Sequence, residues 1–303
     1  MLDATVSKLS WLLTLLCVLS LSCSKHSTPS LKRYPFTGRV VLIDKANQSA
    51  IIDGDAIPGF MDAMAMDYKI KVAADFSQLA AGDSISAEVV VQGKDQDSTP
   101  DYWLENVKVT GRAKPAGDKA GGPSAEMHVP SPGDDVPDFQ FTNQAGKHVS
   151  LKQYRGQVLF ITFIYTRCPF PDFCPRVGAQ FAQLNQQLAG DAALARKTHL
   201  LCISFDPEHD TPKVLRDYGF SLAHSRQSAL FDRWEFVVPR TADLPQIASY
   251  FALTYKAENG SITHSLSTAV IGPDGKIVSW YHGGEWQVAD LVKDAAGALR
   301  VQG

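Results

Sequence analysis

The sequence predicts two folded units in series, a small five-stranded β-barrel domain followed by an α/β domain. Three observations carry that expectation. Short β-rich runs fill the first part of the chain, a stretch rich in proline and glycine follows, and strands then begin to alternate with helices. At 303 residues the chain also exceeds one average domain.

The barrel strands are expected at Gly38 to Ile43, Ala50 to Ile52, Tyr68 to Val72, Ile85 to Gln92 and Tyr102 to Thr110, with turns at Gly82-Asp83 and Asp95 to Pro100. Lys114-Pro115, Ala120-Gly121-Gly122-Pro123 and Pro130-Ser131-Pro132-Gly133 mark a linker. In the second unit, Val158 to Tyr165 is a continuous apolar run of the kind found in a central strand covered on both faces. Val177, Phe181, Leu184 and Leu188 recur at helical spacing and stop at Gly190. Strand, helix and strand follow at Leu200 to Phe205, Thr211 to Tyr218 and Glu235 to Val238, with a helix over Leu244 to Leu253. Leu266 to Ile271 and Lys276 to Tyr281 form a hairpin across Gly272-Pro273-Asp274-Gly275, and a last helix covers Val288 to Leu299. This order fits a thioredoxin-like α/β sandwich.

The N-terminus sets the compartment. Lys8 precedes an apolar stretch, Leu9 to Leu21, that is shorter than a membrane span and suits the core of a signal peptide. It ends in Ser20-Leu21-Ser22-Cys23, which resembles a bacterial lipoprotein cleavage site with Cys23 as the lipidated residue; an ordinary secretory signal is the alternative. Either reading exports the chain. The expected organisation is a signal at 1–23, a tether at 24–35, the barrel at 36–112, the linker at 113–135 and the α/β domain at 136–303. The expected location is the bacterial cell envelope, facing the periplasm and anchored to the membrane by lipid.

Composition narrows the partners. A net charge of -3 without a long basic run excludes the electrostatic footprint of a nucleic-acid binder. Beyond Cys17 and Cys23, three cysteines remain, Cys168, Cys174 and Cys202, and an odd number in an exported chain points to a free thiol or a metal site. Cys202 lies in an apolar strand and reads as a small buried hydrophobe.

The central strand runs into Thr166-Arg167-Cys168-Pro169-Phe170-Pro171-Asp172-Phe173-Cys174-Pro175. Pro175 suits the first helical position, which places Cys174 at the N-cap, where the helix start favours a thiolate. Two cysteines around such a turn can close a disulfide or grip a soft metal. His264 precedes a hairpin strand and is the third candidate ligand. Two thiolates and an imidazole suit Cu(I) or Cu(II), and also zinc.

Several motifs in order resemble the Sco/SenC family of copper chaperones: Val136-Pro137-Asp138-Phe139, Phe163 to Pro169, Asp206-Pro207-Glu208-His209-Asp210-Thr211-Pro212, Thr263-His264-Ser265, and Gly272 to Lys276 with Trp286. The resemblance implies copper held by Cys168, Cys174 and His264, and an acceptor in the cytochrome c oxidase subunit that carries the copper A centre. The family pattern has three residues between its cysteines; this chain has five. Asp206 is expected beside the cysteine turn, either bonding the turn into the next helix or supporting the site and a docked partner.

Within the barrel, Ile57 to Asp67 places Met61, Met64 and Met66 close together, and Met64 and Met66 share one face of an extended strand. The segment resembles periplasmic copper-binding domains of the CusF type. That family's upstream histidine falls here at Gly54, and its aromatic cap at Met61. The resemblance leaves either a three-methionine Cu(I) site or a degenerate one, with core packing as the plain alternative. The leading expectation is a copper chaperone, also open to other periplasmic copper or thiol proteins. A thiol-disulfide oxidoreductase using Cys168 and Cys174 is the alternative, and a peroxidase-like activity a weaker third.

Overall fold

The computed structural model describes residues 31–45, 48–61, 63–92, 101–112, 127–171, 173–258 and 261–301. Cys23, the signal segment and residues 113–126 of the linker lie outside the described residues.

The first unit comprises β1 (Leu31–Asp44), β2 (Ser49–Gly54), β3 (Met64–Ile70), the short helix α1 (Ala73–Ser77), β4 (Ser84–Gln92) and β5 (Asp101–Gly111). These five strands close into a barrel in the order β1-β2-β3-β5-β4. Closure depends on the length of β1: its first half pairs with β4 from Leu31 to Arg39, and its second half pairs with β2 from Gly38 onward. At the crossover the strands approach so closely that a Cβ on Gly38 would sit 2.6 Å from the Asp53 carbonyl oxygen, so glycine is required there. Phe36, Tyr68, Ile70, Val89 and Leu104 fill the interior. Residues 31–35, expected as tether, are instead strand. Their backbone groups are satisfied by β4, and Arg33 bridges Glu88 and Glu105 at 3.1 and 2.8 Å. The charged outer face of this edge hides the strand from a hydrophobicity reading.

The second unit comprises β6 (Gln140–Asn143), β7 (His148–Ser150), β8 (Val158–Ile164), α2 (Cys174–Ala189), α3 (Ala192–Lys197), β9 (Thr198–Ser204), α4 (Pro212–Leu222), β10 (Trp234–Val238), α5 (Leu244–Tyr250), β11 (Tyr255–Glu258), β12 (Ser261–His264), β13 (Ser267–Ile271), β14 (Ile277–His282) and α6 (Val288–Val301). Among the described residues the main sheet has seven strands in the order β14-β13-β8-β9-β10-β6-β7, with β8, β9 and β10 parallel. Every residue of β8, β9 and β10 is buried, as the continuous apolar runs require. This is the expected thioredoxin-like α/β arrangement. The sequence pattern does not show the hairpins β6-β7 and β11-β12 or the helices α1 and α3, whose elements run from three to six residues and are too short to show a period.

The end of the expected linker is also fixed. His128 stacks on Tyr250 with ring centroids 4.5 Å apart, its Nδ1 lies 2.7 Å from the Tyr250 carbonyl oxygen, and Asp135 pairs with Lys276. These contacts hold residues 127–135 against the second unit, so the proline-rich composition there marks a strap and not a free chain.

The two units meet along a seam. Its apolar part joins Leu42 and Ile51 of the barrel to Ala252, with Trp280 packed beside them. Its polar part is His282, whose side chain is 2% exposed and lies between two barrel carboxylates: Nε2 is 2.6 Å from Asp44 and Nδ1 is 3.2 Å from Asp67. Ser49 Oγ lies 3.3 Å from Nε2. Burial opposes charge on this imidazole, but the hydrogen bond to Asp44 and the nearby charges of Asp44 and Asp67 outweigh it and raise its pKa to about 9. A folded-state value above the unfolded one, about 6.5, means that the cluster stabilises fully below that pH. That stability is lost as pH rises through about 9. The melting temperature of the wild type is therefore expected to fall across this interval relative to His282→Gln. Parallel melting curves for the two proteins over the whole interval would show that the imidazolium does not hold the seam.

Candidate metal centre

Strand β8 delivers the first cysteine. After Ile164 the chain turns, with the Cys168 N–H donating to the Tyr165 carbonyl at 3.3 Å, and the loop to Cys174 closes with Phe173 N–H donating to Phe170 O at 3.1 Å. Cys174 is the first residue of α2, with Phe173 at the cap position and Pro175 next in the helix. The expected N-cap position is therefore one residue too late. Cys174 is fully buried, whereas Cys168 is partly exposed, and neither is in a disulfide.

Strand β12 delivers the imidazole. His264 is 3% exposed and packed between aromatic rings, with Phe205, Phe173 and Tyr165 centroids at 4.7, 5.4 and 5.5 Å. Its Nδ1 lies 2.8 Å from the Ser265 carbonyl oxygen, which can only accept, so Nδ1 carries the proton and Nε2 presents a lone pair. Nε2 points at both sulfurs, 3.5 Å from Cys174 Sγ and 3.9 Å from Cys168 Sγ. The three ligand atoms lie within 4.8 Å of one another. A soft metal ion drawn into their midst needs only small side-chain movements, and two sulfurs with one nitrogen is a donor set that copper accepts.

The cysteines differ in acidity. A hydrogen bond from the Cys174 thiol, opposed by burial, lowers Cys168 to about 4, while burial and the neighbouring Cys168 charge hold Cys174 above the ordinary thiol range. The helix start does not make Cys174 the thiolate, because complete burial costs more than the partial charge of one helix end returns. Cys202 is a buried packing residue, as expected. Burial pushes its pKa up to about 12, and the indole N–H of Trp234 lies 3.2 Å from its sulfur.

Asp206 reaches the site through Arg167, the residue before Cys168, in an ion pair of 2.7 Å. The turn into α4 is instead bonded by the Asp206 backbone carbonyl. Asp210 is a supporting residue that the sequence reading passes over. Fully buried, it accepts from Thr166 Oγ1 and Ser204 Oγ at 2.6 Å each and from Thr166 N–H at 3.1 Å. It thereby ties the start of the cysteine turn to the end of β9. The signal was available in Asp206-Pro207-Glu208-His209-Asp210, where both acids precede a helix start.

In the barrel, the turn Ile57 to Met61 is closed by three backbone hydrogen bonds and a positive φ of 77° at Gly59. It sets Met61 against Tyr68, whose hydroxyl is 3.9 Å from the sulfur. Met66 packs against the same core. Gly54 is the register partner of Met64, so the position of the missing histidine lies beside the methionine strand. The Met64 side chain lies outside the described residues.

Comparison with known proteins finds a family match for each unit. The family model described as SCO1/SenC matches residues 130–300, and that of the copper binding periplasmic protein CusF matches residues 33–99. The SCO1 protein homolog of Bacillus subtilis is 31% identical over 54% of this chain and 82% of its own length. The mitochondrial SCO1 homolog of Homo sapiens is 27% identical over 47% of this chain and 46% of its own length, so the chain spans about half of that relative. A solved structure of BsSco, described as a member of the Sco family of cytochrome c oxidase assembly proteins, is 30% identical with a TM-score of 0.46, covering 56% of this chain and 97% of that one.

The unequal thiols make a chemical prediction. In the reduced, metal-free protein, iodoacetamide should label Cys168 at a rate nearly flat between about pH 5 and pH 8, below the usual thiol pKa. Cys174 and Cys202 should react only on unfolding. Peptide mass mapping after a timed quench reads the outcome, and preferential labelling of Cys174 would reverse the assignment.

Proposed function

Because the chain belongs to the SCO1/SenC family, we propose that it carries copper to an exported acceptor, the oxidase subunit that holds the copper A centre. The observation that supports this most directly is the convergence of Cys168 Sγ, Cys174 Sγ and His264 Nε2 within 4.8 Å. Cys168 supplies a thiolate that solvent and a partner can reach; Cys174 and His264 complete the grip from the buried side. Copper is cargo here, so a half-exposed ligand suits release to a partner's own thiolates. Asp206 and Asp210 position the cysteine turn, through Arg167 and Thr166 respectively.

The match to CusF supports a second Cu(I) site in the barrel, formed by Met61, Met64 and Met66. The signal-like N-terminus and that match support a periplasm-facing location, and Cys23 is proposed as the lipid anchor. If so, Cys23→Ser should move the processed protein from the membrane to the soluble fraction on cell fractionation; persistent membrane association would remove the anchor from this residue.

A second reading, thiol-disulfide exchange with a partner, is favoured by one observation: an accessible thiolate at Cys168 beside a buried thiol at Cys174. The two readings separate at His264. For a carrier, His264→Ala should weaken copper binding by more than about 100-fold, since losses outside the ligand shell alone cost 10–100-fold. Disulfide formation should survive that change. Cys168→Ser or Cys174→Ser should abolish both. Copper titration against a competing chelator, run beside an exchange assay, checks the pattern, and undiminished copper affinity in His264→Ala would overturn the carrier reading.

A further inference from the structure

We propose that the two domains form one internal relay, in which Cu(I) collected at Met61, Met64 and Met66 passes to Cys168, Cys174 and His264 of the same chain while His282 holds the donor strand in place. The inference rests on the copper reading of both sites and adds a route between them.

Strand β3, which bears Met64 and Met66, packs directly against β12, whose last residue is His264. The side chains of β3 divide between two duties. Met66 faces the barrel core, while its neighbour Asp67 faces outward to His282. The seam therefore grips the methionine strand itself, one residue from Met66. On the other side, His282 ends β14, and β14, β13 and β8 are consecutive strands of the sheet whose β8 leads into Cys168. An unbroken run of hydrogen-bonded strands thus links the two metal-binding segments through a single buried imidazolium.

A simple tether does not require that arrangement. Burying a cation between two carboxylates is a costly way to gain stability but an effective way to enforce one relative placement: losing the imidazolium leaves two carboxylates facing each other, and losing either carboxylate removes one of the two contacts that fix the ring. The chemistry runs downhill and without redox change. Copper stays Cu(I), thioether–copper bonds break, and bonds to two thiolates and the His264 Nε2 form. Any proton displaced from the Cys168 or Cys174 thiol leaves to solvent. Charged thiolates hold Cu(I) more tightly than neutral thioethers, which sets the direction.

Linking two sites in one chain gives an effective concentration on the order of millimolar, so at micromolar protein an internal handover should outrun transfer between chains by about 1000-fold. The test follows the thiolate-to-Cu(I) charge-transfer absorption after one equivalent of Cu(I) is mixed with the full reduced chain carrying Cys23→Ser. A second arm mixes a Cu(I)-loaded chain lacking both site cysteines (Cys168→Ser with Cys174→Ser) with a chain in which Met61, Met64 and Met66 are all leucine. The intact chain should show a first-order phase whose rate is independent of protein concentration, and the mixture a second-order phase. His282→Ala, and independently Asp67→Asn, should slow the first-order phase about tenfold by leaving the competent arrangement fractionally populated. Copper stoichiometry at each site should be unchanged in both variants, which also reports that they are folded. A rate proportional to chain concentration in the intact protein, a mixture that transfers as fast, or seam variants with unaltered rates would overturn the relay while leaving both copper sites standing. Absence of any thiolate–copper signal in the intact chain would instead overturn the copper reading, and the relay with it.

Discussion

Strand β8 lies at the centre of the main sheet with all seven of its residues buried, and this burial constrains everything around it. The strand itself carries no ionisable side chain, and the reactive groups of the site gather beyond its carboxyl end. Cys168 follows that end directly, the turn after the parallel neighbour β9 brings Asp206 and Asp210, and the hairpin β11-β12 brings His264 across. The backbone hydrogen bond from Tyr165 N–H to Cys174 Sγ, at 3.4 Å, closes the arrangement by pinning the start of α2 to the end of β8.

Polarity at that end is assigned by burial more than by residue type. Two cysteines with the same intrinsic chemistry diverge because one is desolvated and the other faces water. Two aspartates four residues apart diverge as well. Asp206 pairs with the Arg167 guanidinium, while Asp210 is buried among hydroxyls, and that burial raises its pKa. The first ties the residue beside Cys168; the second ties the residue before that. The turn is consequently held from two sides while the loop between the cysteines, with Phe170 exposed at 40%, remains turned to solvent. A site that must both hold and release a metal ion benefits from this division between a fixed wall and an open one.

The seam repeats the same physics on a larger scale. Apolar contacts of Leu42, Ile51 and Ala252 supply area but little direction, whereas the bracketed His282 permits one placement. The barrel, which alone would be a small and separable module, is thereby made part of the scaffold that faces β12.

By itself the sequence determined the two fold classes and the buried strands and offered the candidate ligands, because continuous apolar runs, alternating strands and a cysteine turn before Pro175 are local signals. Cys168 and Cys174 were legible for that reason, as was the pairing of methionines in β3, and His264 by its place before the hairpin strand and by the family resemblance. The tertiary structure alone decided which cysteine is the thiolate, which histidine nitrogen faces the sulfurs, and that Asp210 and His282 matter. Those properties depend on burial and on partners distant in sequence: Asp210 meets Thr166 across 44 residues, and His282 meets Asp44 across 238. No periodicity encodes such pairs; they exist only once β8, β9 and the barrel wall have been brought together.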